Sequence, residues 1–293
     1  MNPATVFHCQ KHSIHEIRQI IASLSVSFQQ PKLLKGLECE YPMTSVPSDK
    51  VEQCFKLLYE KSWGQSGDVK TTEDDELAKK QKASLLFGEV LPAGVDKLLD
   101  KNHLCASEAV SLTDMGAGMG KLVLQAFLQF TCLKTVQGIE LCPSRYKESV
   151  HRISHLASLN PSIFQLKRKS DSHYDLVTLG ESPQRTLTLL QGDMFKLEVL
   201  SDIVICETNV PVEEQPNILL GLSKYKPGTK VMLYHSLRNI PGVLLGQDNK
   251  VMFASASPNA LKIYQQLAEK DSYFSTSWAK DKGHFFECWK CIS

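Results

Sequence analysis

The stretch Asp114-Met115-Gly116-Ala117-Gly118-Met119-Gly120 constrains this chain more than any other. It follows an apolar run, Ala109-Val110-Ser111-Leu112, and opens into a helical pattern from Lys121 to Phe130. An acid followed by glycines at alternate positions, set between a strand and a helix, is the pattern of a cofactor loop. Glycine lets the backbone turn tightly there and approach a ligand closely. The spacing is not the dinucleotide form G-x-G-x-x-G. In that register the third glycine falls on Lys121.

Two further acids extend the pattern. Thr135-Val136-Gln137-Gly138-Ile139-Glu140 reads as a second strand ending in Glu140. An acid in that place can accept hydrogen bonds from both hydroxyls of a ribose. Thr186 to Gln191 reads as a third strand, running into Gly192-Asp193-Met194. Asp193 is placed to accept from an adenine amino group, with Met194 against the ring. Three acids at successive strand ends lie on the rim where α/β sheets bind ligands. The D-x-G-x-G-x-G loop itself resembles the S-adenosylmethionine loop of Rossmann-like methyltransferases.

With 293 residues, 42% of them hydrophobic, the chain can bury a substantial core as one large domain or one domain with an extra lobe. The net charge of +1 leaves any nucleic-acid contact to a local patch. The nine cysteines have no disulfide-like spacing. The first residues lack a basic segment followed by an apolar one, and no stretch approaches the length of a transmembrane helix. These features point to a chain with reduced thiols and no membrane partner. The expected setting is the nucleus, with the cytosol as the alternative, and not the secretory route.

Residues 1–83 are expected to form a helical leading segment and a polar linker, and residues 84–293 an α/β unit. Ile14, Ile17, Ile20, Ile21 and Leu24 recur at helical spacing, with Ser13 and Glu16 as a capping box. A second helix places Val51, Phe55, Leu58 and Tyr59 on one face. Gly64 to Lys82 reads as an exposed linker or a loop ordered by a partner. Later, Ile203-Val204-Ile205-Cys206 fits a central parallel strand. Residues 160–185 are an insertion, with a hairpin arm from Tyr174 to Leu179. Its Lys167-Arg168-Lys169 is read as a turn, either solvated or in contact with nucleic-acid phosphate.

Several of these residues resemble one family. Phe87-Gly88-Glu89 matches an aromatic-Gly-Glu motif, and Val123-Leu124-Gln125 a Val-Leu-Gln helix core after the glycine loop. Thr188-Leu189-Leu190-Gln191-Gly192-Asp193-Met194 is similar to a Thr-Leu-x-x-Gly-Asp-Phe strand end. Ser277-Trp278 followed by Phe285-Phe286 is similar to a Ser-Trp and paired-aromatic ending. Together they resemble the disruptor-of-telomeric-silencing (Dot-one-like) family, histone lysine methyltransferases without a SET domain. The resemblance spans roughly residues 84–293. It implies a Rossmann-like class I methyltransferase fold: a seven-stranded, mainly parallel sheet behind a helical leading segment. It further implies S-adenosylmethionine as cofactor and a lysine of histone H3 in nucleosomes as acceptor. Where the family has Asn-Asn-Phe after the fourth strand, this chain runs Cys206-Glu207-Thr208-Asn209-Val210-Pro211 and keeps Asn209; the loop Gln of relatives is Lys121, and no strongly basic tail is present.

On this reading Phe87, Glu89, Asp114, Gly116, Gly118, Lys121, Glu140, Asp193, Met194 and Asn209 bind the cofactor, Glu89 orienting its amino group. Asn209 also positions the reacting amine, and Trp278, Phe285 and Phe286 form an apolar channel that favours neutral amine. The alternatives are a class I methyltransferase acting on RNA or a small molecule, and a catalytically degenerate cofactor-binding module. Cys288-x-x-Cys291 with His8, Cys9, His12 and His15 is not read as a metal site. Residues three apart on a strand point to opposite faces, and no second Cys-x-x-Cys exists.

Overall fold

The computed structural model describes residues 71–81, 85–180, 183–255, 260–268, 272–279 and 281–293, together with Phe55, Leu58 and Tyr59. The first leading helix and the His8, Cys9, His12 and His15 group lie outside the described residues. Of the second helix, Phe55, Leu58 and Tyr59 are described, and all three are buried in the core.

The helices are α1 (Thr72–Gln81), α2 (Pro92–Leu98), α3 (Lys121–Gln129), α4 (Pro143–Leu159) and α5 (Gln215–Leu222). The strands are β1 (Ser111–Met115), β2 (Thr135–Glu140), β3 (Phe164–Ser170), β4 (His173–Thr178), β5 (Thr186–Gln191), β6 (Ile203–Cys206) and β7 (Lys230–Leu233). They continue with β8 (Leu244–Leu245), β9 (Lys250–Ala254), β10 (Leu261–Leu267), β11 (Tyr273–Phe274), β12 (His284–Phe285) and β13 (Glu287–Cys291). Among the described residues no helix is long and apolar enough to cross a membrane.

The main sheet has the order β3-β4-β5-β2-β1-β6-β7-β13-β10-β9-β8. Its centre, β5-β2-β1-β6-β7, is parallel throughout. β13 lies antiparallel between β7 and β10. Those seven strands correspond to the expected sheet, but the whole sheet has eleven. The β3–β4 hairpin extends one edge and β8–β9 the other. Lys167, Arg168 and Lys169 therefore sit on the edge strand β3 and not on a turn. Arg168 pairs with Asp171 and lies over the Tyr174 ring at 5.9 Å. Charged side chains suit an edge strand because they discourage further pairing.

Side chains alternate between two apolar clusters, one on each face of the sheet. Leu112, Ile203, Ile205, Phe286 and Cys288 face one cluster, with Phe127 of α3. Met115, Ile139, Val204, Trp289 and Cys291 face the other, with Ile218 and Leu222 of α5. Cys288 and Cys291 thus point away from each other. Every residue of α3 is buried. Such a helix is apolar almost all round because neighbours cover both its sides.

The stretch read as an exposed linker instead contains α1. Asp74, only 1% exposed, explains the ordering. It accepts from the Thr71 N–H at 2.6 Å and, across the fold, from the Ser144 hydroxyl at 2.6 Å and the Ser144 N–H at 3.1 Å. One carboxylate therefore serves the N-termini of α1 and α4, and α4 has no side-chain cap of its own. Burial pushes the Asp74 pKa up, but these hydrogen bonds outweigh it and hold the carboxyl well below its ordinary range.

Candidate functional site

A cavity of about 440 Å³ opens at the carboxyl ends of β1, β2 and β6. Of the expected site residues, Phe87, Gly116, Glu140, Asp193, Met194, Asn209 and Trp278 line it. Glu89, Gly118 and Lys121 border a separate recess of about 20 Å³, and Phe87 and Glu207 face both spaces. Asp114 and Phe285 line neither.

The loop after β1 needs its glycines. Gly116 has φ +101° and Gly118 +55°, conformations that side chains rarely adopt. A Cβ on Gly116 would run into the Thr208 hydroxyl, which itself donates to the Met115 carbonyl at 3.1 Å. A Cβ on Gly118 would lie 2.7 Å from the Phe87 ring. Glu140 ties this loop to the next helix. Its carboxylate accepts from the Gly118 N–H and the Cys142 N–H, each at 2.7 Å. Burial raises the Glu140 pKa, opposed by Arg145 and by these two N–H groups.

Asp114, the last but one residue of β1, is 1% exposed, with no partner for either carboxylate oxygen. Burial, then the charge of Glu140, pushes its pKa up to about 8. The Oε2 of Glu207, just beyond β6, is likewise buried without a partner. Burial, then the charges of Asp114 and Glu89, raises its pKa well above the carboxylate range. Unpaired buried carboxyls are costly, and they are concentrated where a ligand can satisfy them.

Lys121 and Glu89 form a buried ion pair. The loop-end cation is therefore compensated inside the protein, with its ammonium 4.9 Å from the Tyr59 ring centroid. Burial lowers the Lys121 pKa and Glu89 opposes that shift. Glu89 is also fixed through its backbone, which exchanges hydrogen bonds with Ser277. We expect Lys121→Met to cost about 3–5 kcal/mol, because it strips this cation from a buried carboxylate. Adding Glu89→Gln should recover most of that loss. Urea denaturation of the two variants checks this, and an equal loss in both would exclude a coupled pair.

The aromatic wall differs from the expected channel. Tyr234 and Trp278 line the cavity. His284 stacks on Tyr234 at 5.1 Å and lies 5.5 Å from Trp278. Phe286 is buried behind them, in edge contact with Trp278 and His284. Phe285 instead packs against Tyr273 at 5.4 Å across the β11–β12 ribbon. Alternation along the chain explains the difference: His284 and Phe286 share a side and Phe285 takes the other.

Asn209 is exposed on the rim. Asp193 accepts from the Phe195 N–H at 3.0 Å and pairs with Lys196 at 2.9 Å. The sequence reading missed Glu207, Thr208, Tyr234 and Arg145. Glu207 carried a signal, since it is one more acid just past a strand on the same rim. Arg145 lies 4.6 Å over the Phe87 ring, a pairing between distant parts of the chain.

No family model matches the chain, and no curated protein does. Among solved structures it is similar to Trm1 from Pyrococcus horikoshii in complex with S-adenosyl-L-methionine, at 11% identity and a TM-score of 0.36 over 48% of this chain and 35% of that one. It is also similar to precorrin-6y C5,15-methyltransferase from Geobacter metallireducens, at 12% identity and a TM-score of 0.34 over 68% of this chain and 86% of that one. A third is Trm5 from Methanocaldococcus jannaschii in complex with adenosine, at 14% identity and a TM-score of 0.34 over 68% of this chain and 48% of that one. A parallel β5-β2-β1-β6-β7 core closed by the antiparallel β13 and by β10, with the glycine loop after β1, is the Rossmann-like class I methyltransferase fold.

Proposed function

We propose that this protein binds S-adenosylmethionine and transfers its methyl group to a protein lysine, with histone H3 in the nucleosome as the acceptor. The observation that carries the cofactor reading is Asp114. Its two unpartnered, buried carboxylate oxygens stand at the root of a glycine loop with no room for side chains. That combination fits a ligand with a cationic group and a close approach to backbone. Glu140 would hold the ribose hydroxyls, and Asp193 and Met194 the adenine, beside the backbone of Gly116. When bound, the cofactor supplies an electrophilic methyl group on its sulfonium sulfur.

Charge supports an amine acceptor. Glu140, Asp193 and Glu214 line the cavity with Arg145 as the lining cation, and Glu207 adds a carboxyl whose pKa burial raises. A lysine side chain is drawn toward such a field, and a phosphate is repelled by it. Tyr234 and Trp278 offer apolar faces to the lysine stem, and Asn209 at the rim would orient its nitrogen. Methyl transfer needs a neutral amine: desolvation lowers the lysine pKa, against the acid lining, which draws the ammonium in and raises it. The nuclear setting follows from the same reading.

Lys167, Arg168 and Lys169, on the exposed edge β3, favour contact with nucleic-acid phosphate. This suits nucleosomal DNA and equally the rival acceptor, RNA. Labelled S-adenosylmethionine offered with nucleosomes, free histones and bulk RNA separates the two. We expect label in histone H3, and label in RNA alone would overturn the lysine reading. Asn209→Ala should lower turnover at least tenfold with cofactor affinity within about twofold, a loss of roughly 1.4 kcal/mol in the transition state. Equal losses in both quantities would make Asn209 a cofactor ligand.

A further inference from the structure

We propose that Gly88 is a positioning residue for the acceptor: its bare Cα seats the Trp278 ring in the cavity wall, and a side chain at position 88 unseats that ring and weakens acceptor binding without loosening the cofactor. The proposal rests on the lysine-acceptor reading and extends it to a residue outside the cofactor assignment.

The glycine requirement at position 88 is one of space alone. Unlike Gly116 and Gly118, Gly88 lies outside the left-handed region, so its backbone suits any L residue. A Cβ there would run into Cε3 and Cζ3 of Trp278 and lie 3.2 Å from its Cδ2. The six-membered ring of the indole therefore rests on the glycine. The same indole lies 5.5 Å from His284 and 6.3 Å, edge on, from Phe286. Phe286 is fully buried, and a close-packed core resists its displacement. Gly88 and Trp278 both line the main cavity.

Backbone pairing keeps the two segments from parting. The Leu91 N–H donates to the Ser275 carbonyl at 2.9 Å and the Ser277 N–H to the Glu89 carbonyl at 2.8 Å. The Glu89 N–H donates to the Ser277 hydroxyl at 3.0 Å. Val90 and Thr276, both buried, form an antiparallel bridge between these bonds. Just past Trp278, the Ala279 N–H donates to the Thr276 hydroxyl at 3.2 Å. Glu89 is held from its other side by Lys121 of α3. An added methyl at position 88 must therefore be absorbed by the Trp278 side chain, which is 39% exposed and has solvent to swing into.

Gly88 thus separates cofactor contacts from acceptor contacts along the chain. Phe87 packs toward Gly118 and Glu89 pairs with Lys121, so neither depends on where the indole sits. The indole meets the acceptor stem both before and during transfer. Loss of such a contact raises KM more than it lowers kcat.

Steady-state methylation of nucleosomes, calorimetry with S-adenosylhomocysteine and acrylamide quenching of tryptophan fluorescence test the proposal. We expect Gly88→Ala to raise the nucleosome KM about tenfold, with kcat within about threefold and S-adenosylhomocysteine affinity within about twofold. Trp278→Ala should raise KM to a similar extent. In the Trp278→Ala background, Gly88→Ala should add less than about twofold, because the ring it displaces is gone. Emission of Trp278 is isolated by difference from Trp278→Phe, and its quenching by acrylamide should rise about twofold in Gly88→Ala as the ring leaves its seat. Fully additive KM effects, or unchanged quenching of Trp278, would overturn the seat. So would a joint fall in acceptor binding, kcat and cofactor affinity, the mark of general loosening. A parent that labels no histone would instead overturn the acceptor reading, and the quenching then decides by itself whether Gly88 seats the ring.

Discussion

Gly116→Val should abolish cofactor binding while the sheet stays folded. We expect at least a hundredfold loss of affinity for S-adenosylhomocysteine, or about 2.7 kcal/mol. Two effects combine. Position 116 sits at φ +101°, where a β-branched residue is strained, and the new Cβ would occupy the place of the Thr208 hydroxyl. Either the loop or Thr208 must move, and both border the cavity. A control separates strain from collision. Gly180 also has a positive φ, +74°, but nothing lies within 4 Å of its would-be Cβ. Gly180→Ala should cost about 1 kcal/mol of stability and leave binding unchanged. Calorimetry and circular dichroism on both variants read the two effects, and parent-like binding by Gly116→Val would remove the cofactor from this loop.

Glu140→Ala should damage stability and binding together. The buried carboxylate accepts from the Gly118 and Cys142 N–H groups, and truncation leaves both donors without it. Charge-assisted bonds of this kind contribute about 1.5–3 kcal/mol each, and relief from burying the Glu140 charge offsets part of the loss, so we expect a net cost of about 2–4 kcal/mol. Affinity for adenosine-bearing ligands should fall at least tenfold, because the loop loses its anchor and the ribose its acceptor. Glu140→Gln keeps one carbonyl acceptor and should fall between the two. Denaturant midpoints and calorimetric affinities check both parts. A stable Glu140→Ala variant with unchanged affinity would detach this strand end from the site.

Much of this was legible in the chain itself, for a reason that differs between elements. The glycine loop, Glu140 and Asp193 were readable because strand, turn and acid are adjacent in sequence, and backbone strain restricts which residues fit a tight loop. The central strand β6 was readable as an apolar run, since parallel strands are covered on both faces. Other features depend on partners far away in the chain. The helix α1 looked like a solvated linker because its ordering contact is Asp74 with Ser144, 70 residues on. Lys121 stands where the resembled family carries Gln, and only the fold sets Glu89 against it. Phe285 and Phe286 were read together as channel aromatics, yet only Phe286 packs against Trp278. The chain leaves β12 after Phe285 and starts β13 at Glu287, so packing chose which ring turned inward. The sheet order and the pairing of its added edge strands were likewise decided by tertiary structure alone. Strand neighbours are selected by which apolar faces can be buried together, and that selection is made between residues that no local pattern connects.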